Sequence, residues 1–313
     1  MGTPEFAVES LDILVKNNYN IVGVITVPDK PAGRGQEIQQ SAIKKYALEK
    51  GLNILQPEKL KDEHFLQQLK NLNADLQIVV AFRMLPVVVW DMPKLGTFNL
   101  HGSLLPQYRG AAPINWAVIN GEKETGVSTF FLQHEIDTGK IIFREKTPIG
   151  ENETTGEIHD RLMIIGANLV LKTVKAIEEN DYPQIDQSEF IANGEQEKHA
   201  PKLFKDDCKI DWSRNATAIH NFIRGLSPYP AAFSSFVAPD EKIYSVKFFK
   251  TEKEICTPTH PIYSIVTDSK TDLKIAVKEG YIIVKELQLA GKKKMATTEF
   301  LRGFPMNSDW KVS

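Results

Sequence analysis

The chain has 313 residues, of which 42% are hydrophobic and 25% are charged, and its formal net charge is −2. This composition excludes a disordered chain and a coiled coil, and the length exceeds one average domain, so we expect two domains. No apolar run reaches the roughly 18 to 20 residues of a membrane-spanning helix. The first residues lack the basic and apolar regions of a secretory signal. We therefore expect a cytoplasmic protein without membrane contact.

The chain contains two cysteines, Cys208 and Cys256, which lie far apart in the sequence. Such a pair excludes a disulfide framework and a cysteine-based zinc site. We expect both side chains to be reduced thiols.

Charge is distributed unevenly along the chain. Residues 1–199 carry 20 Lys and Arg against 27 Asp and Glu, a net charge of −7, and residues 200–313 carry 18 against 13, a net charge of +5. A basic C-terminal third is what a polyanion-binding domain needs, because bound Lys and Arg release counterions from phosphates. An excess of this size also arises by chance, so alone it does not decide the function.

In the N-terminal part, short β-branched runs alternate with helical stretches. The predicted elements are a helix after Thr3-Pro4, a strand over 21–27, a helix over 41–50, and strands over 76–82 and 97–100. Thr154 and Glu157 form a Thr-x-x-Glu capping box that opens a long amphipathic helix. This βαβ pattern predicts an α/β domain with a parallel, doubly wound sheet.

The C-terminal part has a different sequence pattern. Residues 183–202 are polar, contain prolines and a glycine, and are interpreted as a linker. One helix is predicted beyond them, over 216–224. The predicted strands that follow are 232–237, 246–251, 262–267, 274–277 and 281–289, and five short strands indicate a small β-barrel. The predicted organisation is a domain over 1–182, a linker over 183–202 and a domain over 203–313.

The first β–α turn reads Gly2-Thr3-Pro4-Glu5. One glycine followed by a proline cannot form the Gly-x-Gly-x-x-Gly loop that lets backbone amides approach a pyrophosphate. A dinucleotide cofactor is therefore not expected.

Two polar segments point to chemistry at the sheet. Asn99 and His101 are two residues apart in a predicted strand, so they face the same side, and ligands of open α/β sheets bind beyond the carboxyl ends of the strands. The later segment 134–139 is a turn with Asp137 at its centre. Taken singly, His101 is more often a satisfied buried histidine and Asp137 a turn residue.

Together these segments resemble the folate-dependent formyltransferases. The shared motifs are Asn-x-His-x-Ser-Leu-Leu-Pro-x-x-x-Gly over 99–110 and Asp-x-Gly over 137–139. The closer resemblance, to the members that formylate methionyl-tRNA, covers essentially the whole chain. It rests on the segments 2–7 (GTPEFA), 28–35 (PDKPAGRG), 109–114 (RGAAPI) and 210–212 (IDW). The fold it implies is a Rossmann-like formyltransferase domain followed by a C-terminal OB-fold-like β-barrel domain.

The resemblance also implies an activity, the transfer of the formyl group of 10-formyltetrahydrofolate to the α-amino group of methionyl-initiator tRNA in translation initiation. Asn99 and His101 are expected to stabilise negative charge on the formyl oxygen through their N–H groups. Asp137 is expected to orient the imidazole and to help move protons. No metal is required.

The resemblance places the folate against two segments. The residues are Ser103, Leu104, Leu105 and Pro106 after the catalytic strand, and Phe82, Arg83, Met84 and Leu85 at the end of the preceding strand. Backbone groups at strand ends, with Leu and Met beside them, suit a flat heterocycle with an amide-like edge. The alternative is that these apolar residues are simply core.

Two regions are expected to contact tRNA. The first is the loop over 28–40, expected to lack regular secondary structure, with Lys30 and Arg34 as contacts. The second is the basic C-terminal domain, with Lys292 and Lys293 in a turn. Further candidates there are Lys294, Lys247, Lys250 and Arg224. The alternatives are a mobile surface loop and solvated charges. A monomer is expected.

Two other classes of function stay open. One is a related enzyme that uses a small acceptor, such as a nucleotide-sugar formyltransferase or a folate hydrolase. The other is a non-catalytic nucleic-acid-binding OB protein. The loop with Arg34 argues against the sugar enzyme, and the tRNA-binding barrel against the hydrolase. The combination of Asn99, His101 and Asp137 argues against the binding protein.

The resemblance finally implies a short apolar strand directly before the Gly-Thr-Pro turn, at which Met1 already lies. The first strand of a doubly wound sheet is central, and without it two rows of backbone groups would lose their partners at about 1–3 kcal/mol each. We therefore expect Met1 to be an internal methionine and the natural product to carry several more residues upstream. An active native protein whose intact mass begins at Met1 or Gly2 would contradict this expectation.

Overall fold

The computed structural model describes residues 1–32, 37–191 and 196–313. These residues form two compact units that interleave along the chain. The first unit comprises residues 1–110, 126–147 and 159–199. The second unit comprises residues 111–125, 148–158 and 200–313.

Helices and strands are numbered separately, each in chain order. The helices are α1 Glu5–Lys16, α2 Ala42–Glu49, α3 Glu63–Asn71, α4 Val87–Trp90, α5 Pro113–Ile119, α6 Thr155–Glu178, α7 Ala216–Gly225 and α8 Thr297–Gly303. The strands up to residue 200 are β1 Val24–Ile25, β2 Lys30–Ala32, β3 Glu37–Gln39, β4 Ile54–Leu55, β5 Gln77–Val80, β6 Thr97–His101, β7 Arg109–Gly110, β8 Glu124–Phe131, β9 Ile141–Pro148 and β10 His199–Ala200. The later strands are β11 Ala232–Val237, β12 Ile243–Ile255, β13 Ile265–Thr267, β14 Leu273–Val277, β15 Gly280–Leu289, β16 Met295–Ala296 and β17 Lys311–Val312.

The main sheet of the first unit has two parts. Strands β1 and β4 pair in parallel, and a second part runs in the order β5, β6, β8, β9. Strands β5 and β6 are parallel, as predicted, but β6 and β8 are antiparallel. The predicted strands pair in parallel, as expected, and β8, which was not predicted, makes the sheet mixed. Alternation of strands and helices indicates the order of the elements but not the direction in which each strand enters the sheet.

Met1 and Gly2 lie between these two parts of the sheet. The N–H of Gly2 donates to the Ile25 carbonyl at 3.1 Å, and the N–H of Val80 donates to the Met1 carbonyl at 2.9 Å. The Met1 nitrogen donates to the Ile78 carbonyl at 2.6 Å. Glycine is required at position 2, because a Cβ there would lie 2.9 Å from the Val80 carbonyl oxygen.

Helix α3 illustrates how the helices pack on this sheet. The Asp62 side chain caps it by accepting from the Phe65 N–H at 3.0 Å. Phe65 and Leu69, four residues apart on one face, are both buried. They belong to one apolar cluster with Ile25, Val79, Leu85 and Val89. The cluster anchors the segment that connects β5 to α4.

The capping box predicted for α6 is confirmed. The Thr154 N–H donates to Glu157 Oε2 at 2.8 Å, and the Glu157 N–H donates to Thr154 Oγ1 at 3.3 Å. Along the helix, buried apolar side chains recur every three or four residues. They include Ile158, Leu162, Leu169, Val170, Val174 and Ile177.

The second unit contains the predicted barrel. Its sheet runs in the order β13, β14, β15, β12, β11, β17, with β16 paired to β15. An antiparallel bridge between Ser264 and Lys311, next to β13 and in β17, brings the two ends of this order together. The sheet is thus nearly closed, which leaves few unpaired edge groups. All five predicted strands are present, and β12 is longer than predicted.

The barrel interior is filled from the sheet and from two helices. Ile219 and Ile223 of α7 and Phe300 of α8 are buried together with the inward side chains of the strands. Those strand residues include Phe236, Phe248, Ile275, Ile282 and Leu287, all fully buried. Helix α7 is capped by Asn215, whose side chain accepts from the Ala218 N–H at 2.9 Å.

The segment 28–40 differs from its prediction. Strands β2 and β3 form an antiparallel ribbon in which Lys30 faces Gln39 and Pro31 faces Ile38. The expectation that this segment lacks regular secondary structure was therefore wrong for these residues. A two-stranded ribbon tolerates Pro31 because an edge strand does not need every backbone N–H for pairing.

Candidate active site

The site is built on β6, which is flanked by β5 and β8. Asn99 is paired with Val79 on one side and with Phe130 on the other, and His101 ends the strand opposite Ser128. Because the two residues are two positions apart, both side chains project from one face. The His101 side chain is buried and Asn99 is half-buried.

The two ring nitrogens of His101 have different partners. Nε2 lies 2.9 Å from the Tyr108 carbonyl oxygen, and since a carbonyl only accepts, Nε2 carries a proton. Nδ1 faces Asp137 Oδ2 at 3.8 Å. Tyr108 has a left-handed backbone with φ of 64°, which is uncommon for a non-glycine residue. The imidazole is thus held at one edge, and its other edge faces a carboxylate.

Asp137 is positioned by backbone groups. Its Oδ2 accepts from the Gly110 N–H at 3.0 Å, and its own φ is 55°, again left-handed. Two residues later, a Cβ at Gly139 would lie 1.7 Å from the Phe131 carbonyl oxygen, so only glycine fits. The Asp-x-Gly motif therefore combines a carboxylate with the close backbone approach that places it.

Asn99 differs from His101 in having no fixed partner. Within residues 1–32, 37–191 and 196–313, its side-chain amide makes no hydrogen bond. Both its N–H groups are therefore free to donate to a ligand at this end of the strand. The structure thus brings His101 and Asp137 together beside an unengaged amide.

Three further side chains form a hydrogen-bonded series that ends at the Asp137 backbone, and sequence reasoning did not assign them to the site. Gln187, only 4% exposed, donates from Nε2 to the carbonyls of Asp137 and Gly139, both at 2.8 Å. Its Oε1 accepts from Arg109 Nε at 3.0 Å and from Nη2 at 2.7 Å. Arg109 also pairs with Glu197 at 2.7 Å. Gln187 and Glu197 lie in the segment interpreted as a linker, where no local pattern marked them.

Comparison with known proteins identifies the family. Residues 1–174 match the family model described as formyl transferase, and residues 202–305 match the formyl transferase C-terminal domain. The methionyl-tRNA formyltransferase of Bacteroides thetaiotaomicron is 56% identical over 313 residues, covering 100% of this chain and 97% of that protein. The chain belongs to the methionyl-tRNA formyltransferase family. The family predicted from the motifs is thereby confirmed.

Other formyltransferases agree with this assignment. The methionyl-tRNA formyltransferase of Flavobacterium psychrophilum is 53% identical over 307 residues, covering 97% of this chain and 94% of that protein. Among solved structures, the sugar 3N-formyl transferase WlaRD, crystallised with dTDP and 5-N-formyl-THF, has a TM-score of 0.63 at 21% identity. The alignment with WlaRD covers 93% of this chain and 97% of WlaRD. A likeness at this identity shows the shared formyltransferase fold.

In this member of the methionyl-tRNA formyltransferase family, the loop after β6 is firmly packed. Ser103, Leu105 and Pro106 are buried, and Leu104 is half-buried. The Ser103 hydroxyl donates to the Gln107 carbonyl at 2.7 Å, and Ser128 Oγ accepts from the Leu105 N–H at 3.1 Å. The side chains of Ser103, Leu105 and Pro106 are therefore packed inside the first unit.

The second segment expected to contact folate is more open. Met84 is 76% exposed, and Val87 and Val88 of α4 are also exposed. Phe82 is half-buried and Leu85 is buried, and both belong to the cluster beneath the sheet. Arg83 donates to the carbonyls of Pro57 and Glu58, so its side chain secures a neighbouring loop. The segment therefore exposes apolar side chains, while its buried residues hold it in place.

The residues expected to contact tRNA have varied surroundings. Arg34 lies outside the residues that the structure describes, and Lys30 is exposed on β2. Lys292 and Lys293 are exposed in the turn after β15, where Lys293 lies 3.4 Å from Glu299. Lys294 and Lys250 are also in ion pairs with glutamates.

Arg224 was wrongly counted among the possible tRNA contacts. It is 4% exposed, and its Nη1 donates to the carbonyls of Gly150 at 3.1 Å and Glu153 at 2.9 Å. Helical spacing places it on the inner face of α7, four residues after His220. Its guanidinium therefore binds backbone carbonyls within the second unit.

Metal-ligating clusters and membrane-spanning helices are both absent from the described part of the chain. Within residues 1–32, 37–191 and 196–313, no group of three or more His, Cys, Asp or Glu is arranged to hold a metal ion. Over the same residues, no helix is both long and apolar enough to cross a membrane.

Proposed function

We propose that this protein transfers the formyl group of 10-formyltetrahydrofolate to the α-amino group of methionyl-initiator tRNA. The observation that supports this most is the placement of His101 beside Asp137, with the free amide of Asn99 on the same strand face. This arrangement occurs in a chain whose full length aligns with methionyl-tRNA formyltransferases. We assign residues 1–182 to the catalytic domain, 183–202 to a linker and 203–313 to a tRNA-binding domain.

The reaction needs hydrogen-bond donors for negative charge that develops on the formyl oxygen as the amine attacks. Asn99 supplies its unengaged N–H2 group. Nε2 of His101 donates its proton to the Tyr108 carbonyl. A hydrogen bond from this ring to the formyl oxygen therefore comes from Nδ1. Such donors, fixed by a strand before the reaction starts, are the most effective form of electrostatic stabilisation.

Protons must also move, because the attacking ammonium loses two of its three protons: N10 of the folate gains one, and the other passes to solvent. Nδ1 of His101 lies 3.8 Å from Oδ2 of the Asp137 carboxylate. The carboxylate stabilises the ring when Nδ1 is protonated and donates to the formyl oxygen, and the carboxylate accepts a proton from the amine. The cosubstrate supplies the activated formyl group, and the protein supplies donors, an acceptor and orientation.

We propose that the surface near β5 binds the folate. Met84, Val87 and Val88 expose apolar groups, and the backbone between Phe82 and Leu85 lies outside helices and strands, so its N–H and C=O groups are not used in regular pairing. Flat ligands with a polar edge bind where apolar side chains meet such backbone groups. We assign Phe82–Leu85 and Ser103–Pro106 to folate binding.

For tRNA we assign Lys30 and Arg34 of the segment 28–40, and Lys292 and Lys293 of the barrel. An exposed ion pair such as Lys293–Glu299 contributes little, so a phosphate can replace the glutamate. Neutralising phosphates is the main source of nucleic-acid affinity. We further assign the protein to the cytoplasm as a monomer.

The experiment follows labelled formyl transfer from 10-formyltetrahydrofolate to four acceptors. These are methionyl-initiator tRNA, uncharged initiator tRNA, free methionine and a nucleotide-linked amino sugar. We expect label on methionyl-initiator tRNA only. Label on the amino sugar would support a sugar formyltransferase instead, and release of free formate without acceptor would support a hydrolase.

A further inference from the structure

Gln187 lies in a 3₁₀ turn, Gln187–Phe190, which follows α6 and is separated by 50 residues from Asp137. Its amide makes four hydrogen bonds, two as donor and two as acceptor, while its side chain is almost completely buried. The amide orientation is unambiguous, because carbonyls only accept and a guanidinium only donates. All of its hydrogen-bonding capacity is therefore used.

These bonds close a ring around the catalytic carboxylate. Gln187 holds the carbonyl of Asp137, and Arg109 holds the other end of the Gln187 amide. The next residue, Gly110, donates its N–H to Asp137 Oδ2 at 3.0 Å. Both the backbone and the side chain of Asp137 are thus tied to the two-residue strand β7, and Glu197 secures Arg109 from outside.

This ring of hydrogen bonds holds a part of the backbone that has a strained conformation. Asp137 has a left-handed backbone, which a non-glycine residue adopts at a cost unless its surroundings enforce it. Gln187 binds the carbonyls of Asp137 and Gly139, one on each side of Thr138, so it enforces the turn directly.

The same 3₁₀ turn has a second attachment to the site. The guanidinium of Arg144 lies 3.7 Å from the ring centre of Phe190, and its Nη1 donates to the Leu105 carbonyl at 2.8 Å. Phe190 also packs against the apolar cluster that contains Leu105. The turn therefore touches both the segment with Asp137 and the loop after β6.

We propose that Gln187 is a positioning residue for formyl transfer, which holds the Asp137 carboxylate against Nδ1 of His101. This inference rests on the proposed function. It assigns a role in the reaction to a residue of the segment 183–202, which the sequence marked only as a linker. We expect its effect on the chemical step rather than on substrate binding, because the Gln187 side chain is 4% exposed and its amide is fully occupied by protein groups.

The test compares Gln187→Met and Gln187→Glu with the wild-type protein. Methionine keeps the volume and removes all four hydrogen bonds, and glutamate keeps an acceptor for Arg109 but directs an oxygen at two carbonyls. A displacement of the catalytic group by about 1 Å costs up to about 10²-fold in rate. We expect kcat to fall about 10- to 100-fold in both variants, and KM for folate and for tRNA to change less than threefold.

Tyr46→Phe is the matched control. It removes one side-chain hydrogen bond, from Tyr46 Oη to Asp12 at 2.9 Å, in the same unit but outside the site. Its kcat and the pH dependence of its kcat should equal those of the wild type. The Gln187 variants should show a shifted pH dependence of kcat, because the carboxylate beside His101 has moved, whereas simple destabilisation lowers activity equally at every pH.

The outcomes separate the two hypotheses. A wild-type protein that does not formylate methionyl-tRNA contradicts the proposed function. An active wild type with kcat unchanged within twofold in both Gln187 variants overturns the positioning role. A lower kcat with an unchanged pH dependence overturns it as well, since that result indicates a purely structural residue.

Discussion

His220 makes the stability of the second unit dependent on pH. The side chain is fully buried on α7, where Nε2 donates to the Glu151 carbonyl at 3.2 Å and Nδ1 accepts from Thr251 Oγ1 at 2.9 Å. This pattern suits the neutral ring. Burial lowers the His220 pKa from 6.5 to about 4, with Arg224 and Lys253 adding to the effect and Glu151 opposing it.

The magnitude follows from the two pKa values. Between pH 6.5 and pH 4 the unfolded chain binds a proton at His220 and the folded chain does not, so stability falls as the pH falls. The full loss corresponds to about 3 kcal/mol below pH 4, and about 2 kcal/mol of it is lost by pH 5.

The assay is urea unfolding of the wild type and of His220→Gln at pH 7.5 and pH 5, followed by tryptophan fluorescence. Glutamine can still donate to the Glu151 carbonyl but does not titrate. We expect the stability advantage of the wild type over the variant to shrink by about 2 kcal/mol between the two pH values. Parallel loss of stability in both proteins would refute the reasoning, because it would show that His220 does not stay neutral on folding.

Three further predictions concern the reaction. Asn99→Ala and His101→Ala should each lower kcat by about 10²–10³, with a smaller change in tRNA affinity, in steady-state assays; a tenfold or smaller loss in both would remove them from this role. Arg34→Ala should raise KM for methionyl-initiator tRNA while folate binding, measured by direct titration, stays intact; equal impairment of folate binding would contradict a tRNA contact. Replacing Lys292 and Lys293 by Ala should reduce the slope of log affinity for tRNA against log salt by about 1 per lost phosphate contact, and an unchanged slope would show that neither contacts tRNA.

Features with a local cause were predictable from the sequence. The capping box of Thr154 and Glu157 is encoded within four residues, and it forms as expected. The shared face of Asn99 and His101 follows from the period of a strand. The alternating pattern of 232–237 likewise matches β11, whose burial alternates residue by residue.

Features that depend on distant contacts were not predictable in this way. Strand β4 has only two residues, and its pairing with β1 joins positions about 30 residues apart. Strand β8 is buried along most of its length, so it lacks the alternation that marks a half-exposed strand. Gln187 reads as one polar residue in a polar segment, and its role becomes visible only when Asp137 and Arg109 are adjacent in space.

Arg224 and His220 form an intermediate case. Both are polar residues on the apolar side of an amphipathic helix, beside Ile219 and Ile223. That position is a signal that a polar side chain is buried and has partners. Reading α7 by its period of 3.6 residues would have moved Arg224 from the tRNA surface to the interior.

The central claim is that the centre at the end of β6 carries out formyl transfer to methionyl-tRNA. The most direct test is the single-turnover rate of formylation at saturating 10-formyltetrahydrofolate for the wild type and for Asp137→Asn. Asparagine keeps the shape of the side chain and removes the negative charge beside His101. We predict transfer by the wild type and a rate at least about 10²-fold lower in the variant. An inactive wild type, or a variant as fast as the wild type, would contradict the account.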